Sequence, residues 1–161
     1  MPESVAQVNP KLFEEILDAP GALLALRTER LDDLLGEFRR LALRGGHTIF
    51  HWNPDQGIAS LGASEQRLPG TKRLVDALRY MSQSIHFAVY LVSGFEKELS
   101  PPVILLLRRI SASRRGSGRR LVFVAPDFAL PETLENLFMH LDPIHDRASE
   151  RPRLRGGRWV V

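Results

Sequence analysis

The chain has 161 residues, a formal net charge of +3, 43% hydrophobic and 25% charged residues, and no cysteine. That length suits one domain able to bury about two thirds of its unfolded surface, and the lack of cysteine excludes a disulfide framework, thiolate metal sites and cysteine catalysis. There is no basic-then-apolar leader, and no apolar run approaches the ~18 residues of a membrane span, so the expectation is a cytoplasmic protein with no membrane partner.

Pro10 to Leu17 reads as a short helix, with Asn9 as cap and Leu12, Phe13, Ile16 and Leu17 on one face. Ala22 to Arg27 is a continuous apolar run of strand length, as expected of a strand buried on both faces. A helix follows from Glu29 to Leu43, with Leu31, Leu34, Leu35, Phe38, Leu41 and Ala42 in one stripe and Glu29, Asp32 and Asp33 in its first turn. His47 to Trp52 is the second strand, and Asn53 to Gly70 reads as a loop.

Thr71 is the expected cap of a third helix carrying Leu74, Val75, Leu78 and Met81. Phe87 to Val92 is the third strand. Ser100-Pro-Pro opens a fourth helix that Gly116 stops, and Leu121 to Ala125 is the fourth strand. Leu130 to Phe138 reads as a short helix, and Met139 to Leu141 as a fifth strand. This alternation predicts a single three-layer α/β domain over residues 1–145 with a mostly parallel, five-stranded sheet; residues 146–161 form an Arg/Gly-rich tail.

In open parallel sheets ligands bind beyond the carboxyl ends of the strands. The polar residues expected on that rim are Thr28, Glu29, Asn53, Asp55, Ser93, Glu96 and Asp127. A phosphate cradle needs glycines, so that backbone N–H groups can approach, and a lysine. After the first strand this chain has Thr28-Glu29-Arg30-Leu31-Asp32-Asp33, with carboxylates and no glycine or lysine. Neither a cofactor nor a metal is therefore expected. His47 and His51 at i, i+4 on a strand lie about 13 Å apart by rise alone. His140 and His145 beside Asp142 and Asp146 read as solvated residues rather than ligands.

The densest basic run is Arg108, Arg109, Arg114, Arg115, Arg119 and Arg120, with no acid among them. It reads as a solvated basic loop or as a patch for phosphates or an acidic partner. No aromatic residues interleave with it, which disfavours single-strand stacking.

Four segments carry a family resemblance: Leu26-Arg27-Thr28-Glu29, Phe50-His51-Trp52-Asn53 with its following loop, Tyr90 to Phe95 before Pro101 and Pro102, and Phe123 to Glu135 with Leu130-Pro131. Over about residues 21–143 the chain resembles the N-terminal domain of the Ycf-type AAA ATPases of cyanobacteria and chloroplasts. The resemblance implies a P-loop-NTPase-like sheet that lacks the Walker A loop, with ATPase activity in a separate module. The expected function is a noncatalytic protein-interaction or regulatory domain, its partner an ATPase supplied in trans or a second copy of the chain. The alternatives are phosphate, nucleotide or nucleic-acid binding through the rim or the arginine run, and hydrolysis by Asp127 and Glu96.

Overall fold

A computed structural model describes residues 11–62, 66–113, 119–127 and 130–141. The helices are α1 (Leu12–Asp18), α2 (Leu31–Gly45), α3 (Leu74–Gln83), α4 (Pro101–Ala112) and α5 (Glu132–Glu135). The strands are β1 (Leu23–Arg27), β2 (Ile49–Asn53), β3 (Gly57–Ser60), β4 (Ala88–Ser93), β5 (Arg119–Ala125) and β6 (Met139–Leu141). They form one sheet of order β3-β2-β4-β5-β1-β6. Every neighbouring pair is parallel except β2 and β3.

β1 lies between β5 and β6, so the chain leaves it across β5 and β4 to reach β2, then returns strand by strand. Right-handed crossovers must therefore put α2 on one face and the later helices on the other. The core divides accordingly. Leu12, Phe13 and Ile16 of α1 and Leu34, Phe38 and Ala42 of α2 pack on Leu24, Leu26, Val89, Leu91, Val122 and Val124. On the opposite face α3, α4 and α5 pack on Leu23, Ala25, Tyr90, Val92, Leu121 and Phe123. β4 is buried throughout, as a central parallel strand should be.

The α/β class and three layers match the sequence expectation, but the sheet has six strands rather than five. The sixth is β3, inside the segment expected to be loop. Asn53 Oδ1 accepts from the N–H groups of Asp55 and Gln56, both at 2.9 Å, closing an Asx turn. Gly57 completes the hairpin at φ 74°, where any Cβ would lie 2.6 Å from Thr71 Oγ1. The outer edge of β3 is covered in turn: Arg67 bridges Ala59, and Leu68 N donates to Ile58 O at 2.8 Å.

Thr71 does not cap α3. Its hydroxyl donates to Leu68 O at 2.7 Å and accepts from Ile58 N at 2.9 Å, while Trp52 Nε1 donates to Thr71 O at 2.7 Å. The first turn of α3 is satisfied from a distance: Glu98, in a 3-10 turn after β4, accepts from Leu74 N at 2.7 Å. The short helix near the C-terminus is also shorter than expected, four residues from Glu132. Asn9, Pro10 and Gly116, and the tail beyond Leu141, lie outside the described residues.

Arg119 and Arg120 belong to β5 and serve two helix ends. Arg120, 7% exposed, donates through Nε to Ile16 O at 3.0 Å and through Nη2 to Leu17 O and Ala19 O at 3.1 and 3.0 Å. Arg119 Nη2 donates to Ser84 O, at the C-terminal cap of α3, at 2.7 Å. Cations complement the partial negative charge of helix C-termini. Arg120→Met keeps the apolar stem and removes the donors to Leu17 O and Ala19 O, while Ile16 O keeps Ala19 N, so it should destabilise the fold by about 1–3 kcal/mol. Urea titration measures this; a change near zero would show that water satisfies those carbonyls.

Candidate functional site

All five parallel strands end on one side of the sheet, and the expected rim residues gather there in two stitched halves. In the first half, Thr28 N donates to Ala125 O at 2.9 Å and Arg27 Nε donates to Pro126 O at 3.2 Å, tying the end of β1 to that of β5. Thr28 Oγ1 accepts from Arg30 N at 3.0 Å, which folds the chain into α2. Glu29, Asp32 and Asp33 are exposed around the half-buried Leu31, and Asp33 pairs with Arg30 at 2.7 Å. Asp127 is exposed beside Pro126.

The second half joins β2 to β4. Gly94 has φ 69°, and a Cβ there would lie 2.9 Å from Pro54 Cδ, so the two loops are in close approach. Asn53 is occupied by its own turn, Asp55 is exposed, and Glu96 is exposed in the 3-10 turn. Ser93 is buried, and its Oγ shares a 2.7 Å hydrogen bond with His51 Nε2. Burial, with a smaller contribution from the Arg39 guanidinium, pushes His51 down to about 4, so its imidazole is neutral near pH 7. This pair falls short of a catalytic triad: among the described residues no carboxylate bonds the second ring nitrogen, and Ser93 is covered. Glu96 and Asp127, the two carboxylates expected of a hydrolase, follow β4 and β5 on separate turns, and among the described residues no hydrogen bond joins them.

Between the hairpin and α3 the rim opens into a cleft of about 440 Å³, lined by Gln56, the 67–70 run, Lys72, Arg73 and Asp76. Its apolar lining is the half-buried Leu68 and the exposed Pro69. Asp76 faces Arg79 at 3.4 Å, whereas Arg67, Lys72 and Arg73 have no ion pair among the described residues. Sequence reasoning missed this cleft because its cations are scattered through a segment without periodicity. The antiparallel bridge to β3 is what collects them.

The arginine run does not form one surface. Arg108 and Arg109 are exposed late in α4, toward the end of the sheet opposite the rim. Arg114 and Arg115 lie outside the described residues. Arg119 is half-buried, with its Nε enclosed and unpartnered, and Arg120 is buried. Both of these turn toward backbone carbonyls rather than solvent, which removes them from a phosphate-binding patch. His140 is exposed on β6, and His145, Asp142 and Asp146 lie outside the described residues. Among the described residues no three His, Cys, Asp or Glu side chains cluster to hold a metal, and no helix is long and apolar enough to cross a membrane.

The geometry defines a parallel-sheet α/β domain whose rim is held by side-chain and backbone bonds of its own loops. The family of the SpoVK-like AAA ATPase N-terminal domain matches residues 10–143, and the chain belongs to that family. No curated protein and no solved structure matches it. The AAA N-terminal assignment agrees with the resemblance carried by the Trp52 and Leu130-Pro131 segments.

The depressed His51 value has a consequence for stability. The unfolded histidine binds a proton below pH 6.5, whereas the folded one resists protonation until about pH 4. Its contribution is thus complete above the unfolded value and is lost as pH falls from 6.5 toward 4, by about 1–3 kcal/mol. His51→Gln should flatten the difference curve in denaturant titrations across that window. Parallel curves for the two proteins would place the imidazole in water.

Proposed function

We propose that this chain is a noncatalytic regulatory or interaction domain of an AAA ATPase system, with a P-loop-like sheet whose phosphate position is closed. Its partner is a protein: an ATPase module, in the same protein or in trans, or a second copy. The observation that carries this reading is the turn after β1. Thr28 Oγ1 takes up Arg30 N, side chains stand where bare glycine N–H groups would be needed, and Glu29 and Asp32 face solvent beside the paired Asp33.

Electrostatics support the same conclusion. A like-charge unit pair at 4 Å costs about 4 kcal/mol at an effective dielectric of 20. A micromolar complex has about 8 kcal/mol in all. Arg27 and Arg30 do not reverse this balance: Arg30 is paired with Asp33, and the single charge of Arg27 stands against both Glu29 and Asp32. Nucleic-acid binding through the arginine run is the weaker reading, since Arg119 and Arg120 are turned inward. A cytoplasmic location and a place within the Ycf-type branch belong to this proposal.

Thermal melting with millimolar Mg-ATP tests the closed phosphate position. A ligand at a hundred times its dissociation constant adds about 2.7 kcal/mol, enough to raise the midpoint by several degrees in a domain of this size. The expected result is no shift and no phosphate release. A rise of several degrees that disappears in Glu29→Ala/Asp32→Ala would make the chain a nucleotide binder through an unfamiliar loop.

A further inference from the structure

The rim carries two patches of opposite sign that do not touch each other. One is the cleft beside β3, lined by Leu68, Pro69 and the cations Arg67, Lys72 and Arg73, which have no ion pair among the described residues. The other is the start of α2, lined by Glu29, Asp32, the Arg30–Asp33 pair and the half-buried Leu31, where Glu29 and Asp32 have no ion pair among the described residues. In the order β3-β2-β4-β5-β1 the strand preceding the acidic patch lies four positions from β3. At about 4.8 Å per position that is roughly 19 Å across the sheet, too far for the patches to neutralise one another directly.

Their compositions complement each other. Each combines apolar and charged side chains, and the charge in excess is positive on one and negative on the other. Among the described residues no aromatic ring lines the cleft to give a platform for stacked bases, and Asp76 in its wall opposes a continuous phosphate track. An acidic segment with an aliphatic side chain fits this chemistry better than a nucleic acid does, and the start of α2 has that composition.

We propose that the cleft binds the acidic start of α2 from a second copy of this chain, making the rim a self-association surface. Both patches open at the same end of the sheet. A two-fold axis crossing the rim midway between them therefore sets each cleft against the partner's α2 start, and both contacts form at once. The second contact is intramolecular once the first has formed, so two weak surface attractions reinforce each other in a closed dimer. This inference rests on the protein-interaction reading and names the partner; a strictly monomeric chain would remove it and leave an ATPase module as the partner.

The experiment is sedimentation velocity on the full chain over a concentration series, with two exposed-surface variants. Wild type should show a monomer–dimer equilibrium at low salt, shifted toward monomer at about 0.5 M NaCl, where screening acts within a few ångströms. Arg67→Glu/Lys72→Glu/Arg73→Glu makes both patches acidic, and Glu29→Lys/Asp32→Lys makes both basic. Each variant alone should lose association by on the order of tenfold or more, because like charges are then juxtaposed. An equimolar mixture of the two should restore a dimer containing one of each. Circular dichroism melts confirm that both remain folded. The proposal is overturned if wild type stays monomeric up to the order of 0.5 mM at low salt, where even a millimolar affinity leaves a visible dimer fraction. It is equally overturned if folded variants dimerise like wild type, if only higher oligomers form, or if the mixture stays monomeric.

Discussion

The handedness of the crossovers is the constraint on which the rest of this molecule depends. β1 sits between β5 and β6, and the chain crosses two strands in one direction before returning in the other. Right-handed connections then leave α2 on one face and α3, α4 and α5 on the other, with every parallel strand ending on the same side. A rim of loops follows from the topology alone. What that rim does depends on which side chains occupy it.

Here the loops of the rim are tied together by side-chain and backbone hydrogen bonds. Trp52 holds Thr71, Thr71 holds the β2–β3 hairpin through Ile58, and Glu98 holds the first turn of α3. These contacts link β2, β3, α3 and the end of β4, and they position the cation-lined cleft as a by-product of ordering the segment between β3 and α3. On the opposite end of the sheet, Arg119 and Arg120 perform the complementary task for the C-termini of α3 and α1. Charged side chains that look functional in the sequence thus serve the fold, while scattered cations in an aperiodic segment are brought together on the surface.

The fold was largely legible in the sequence because apolar periodicity is a property of local segments. Leu23 to Leu26, Ala88 to Val92 and Leu121 to Ala125 are apolar runs bounded by breakers, and each is a buried strand. β3 was not legible, because Ile58-Ala59-Ser60 is too short to show alternation and its pairing is specified by the Asn53 turn and by Gly57. The turn chemistry was visible in Asn53-Pro54-Asp55-Gln56-Gly57, but the strand behind it was not. The site was less legible still. The alternation of segments locates the strand ends, yet the His51–Ser93 bond, the Glu98 cap and the cleft depend on contacts between residues 24 to 42 apart or on an irregular bridge, which no local pattern encodes.

The proposed function has the rim recognise protein and not phosphate. Amide hydrogen exchange reads this directly, residue by residue. In the presence of an AAA ATPase module of this family, or at high concentration of the chain itself, protection should rise at residues 28–33 or 66–73, and Mg-ATP should leave both segments unchanged. Protection of residues 28–33 by Mg-ATP, with neither protein altering the rim, would contradict the account.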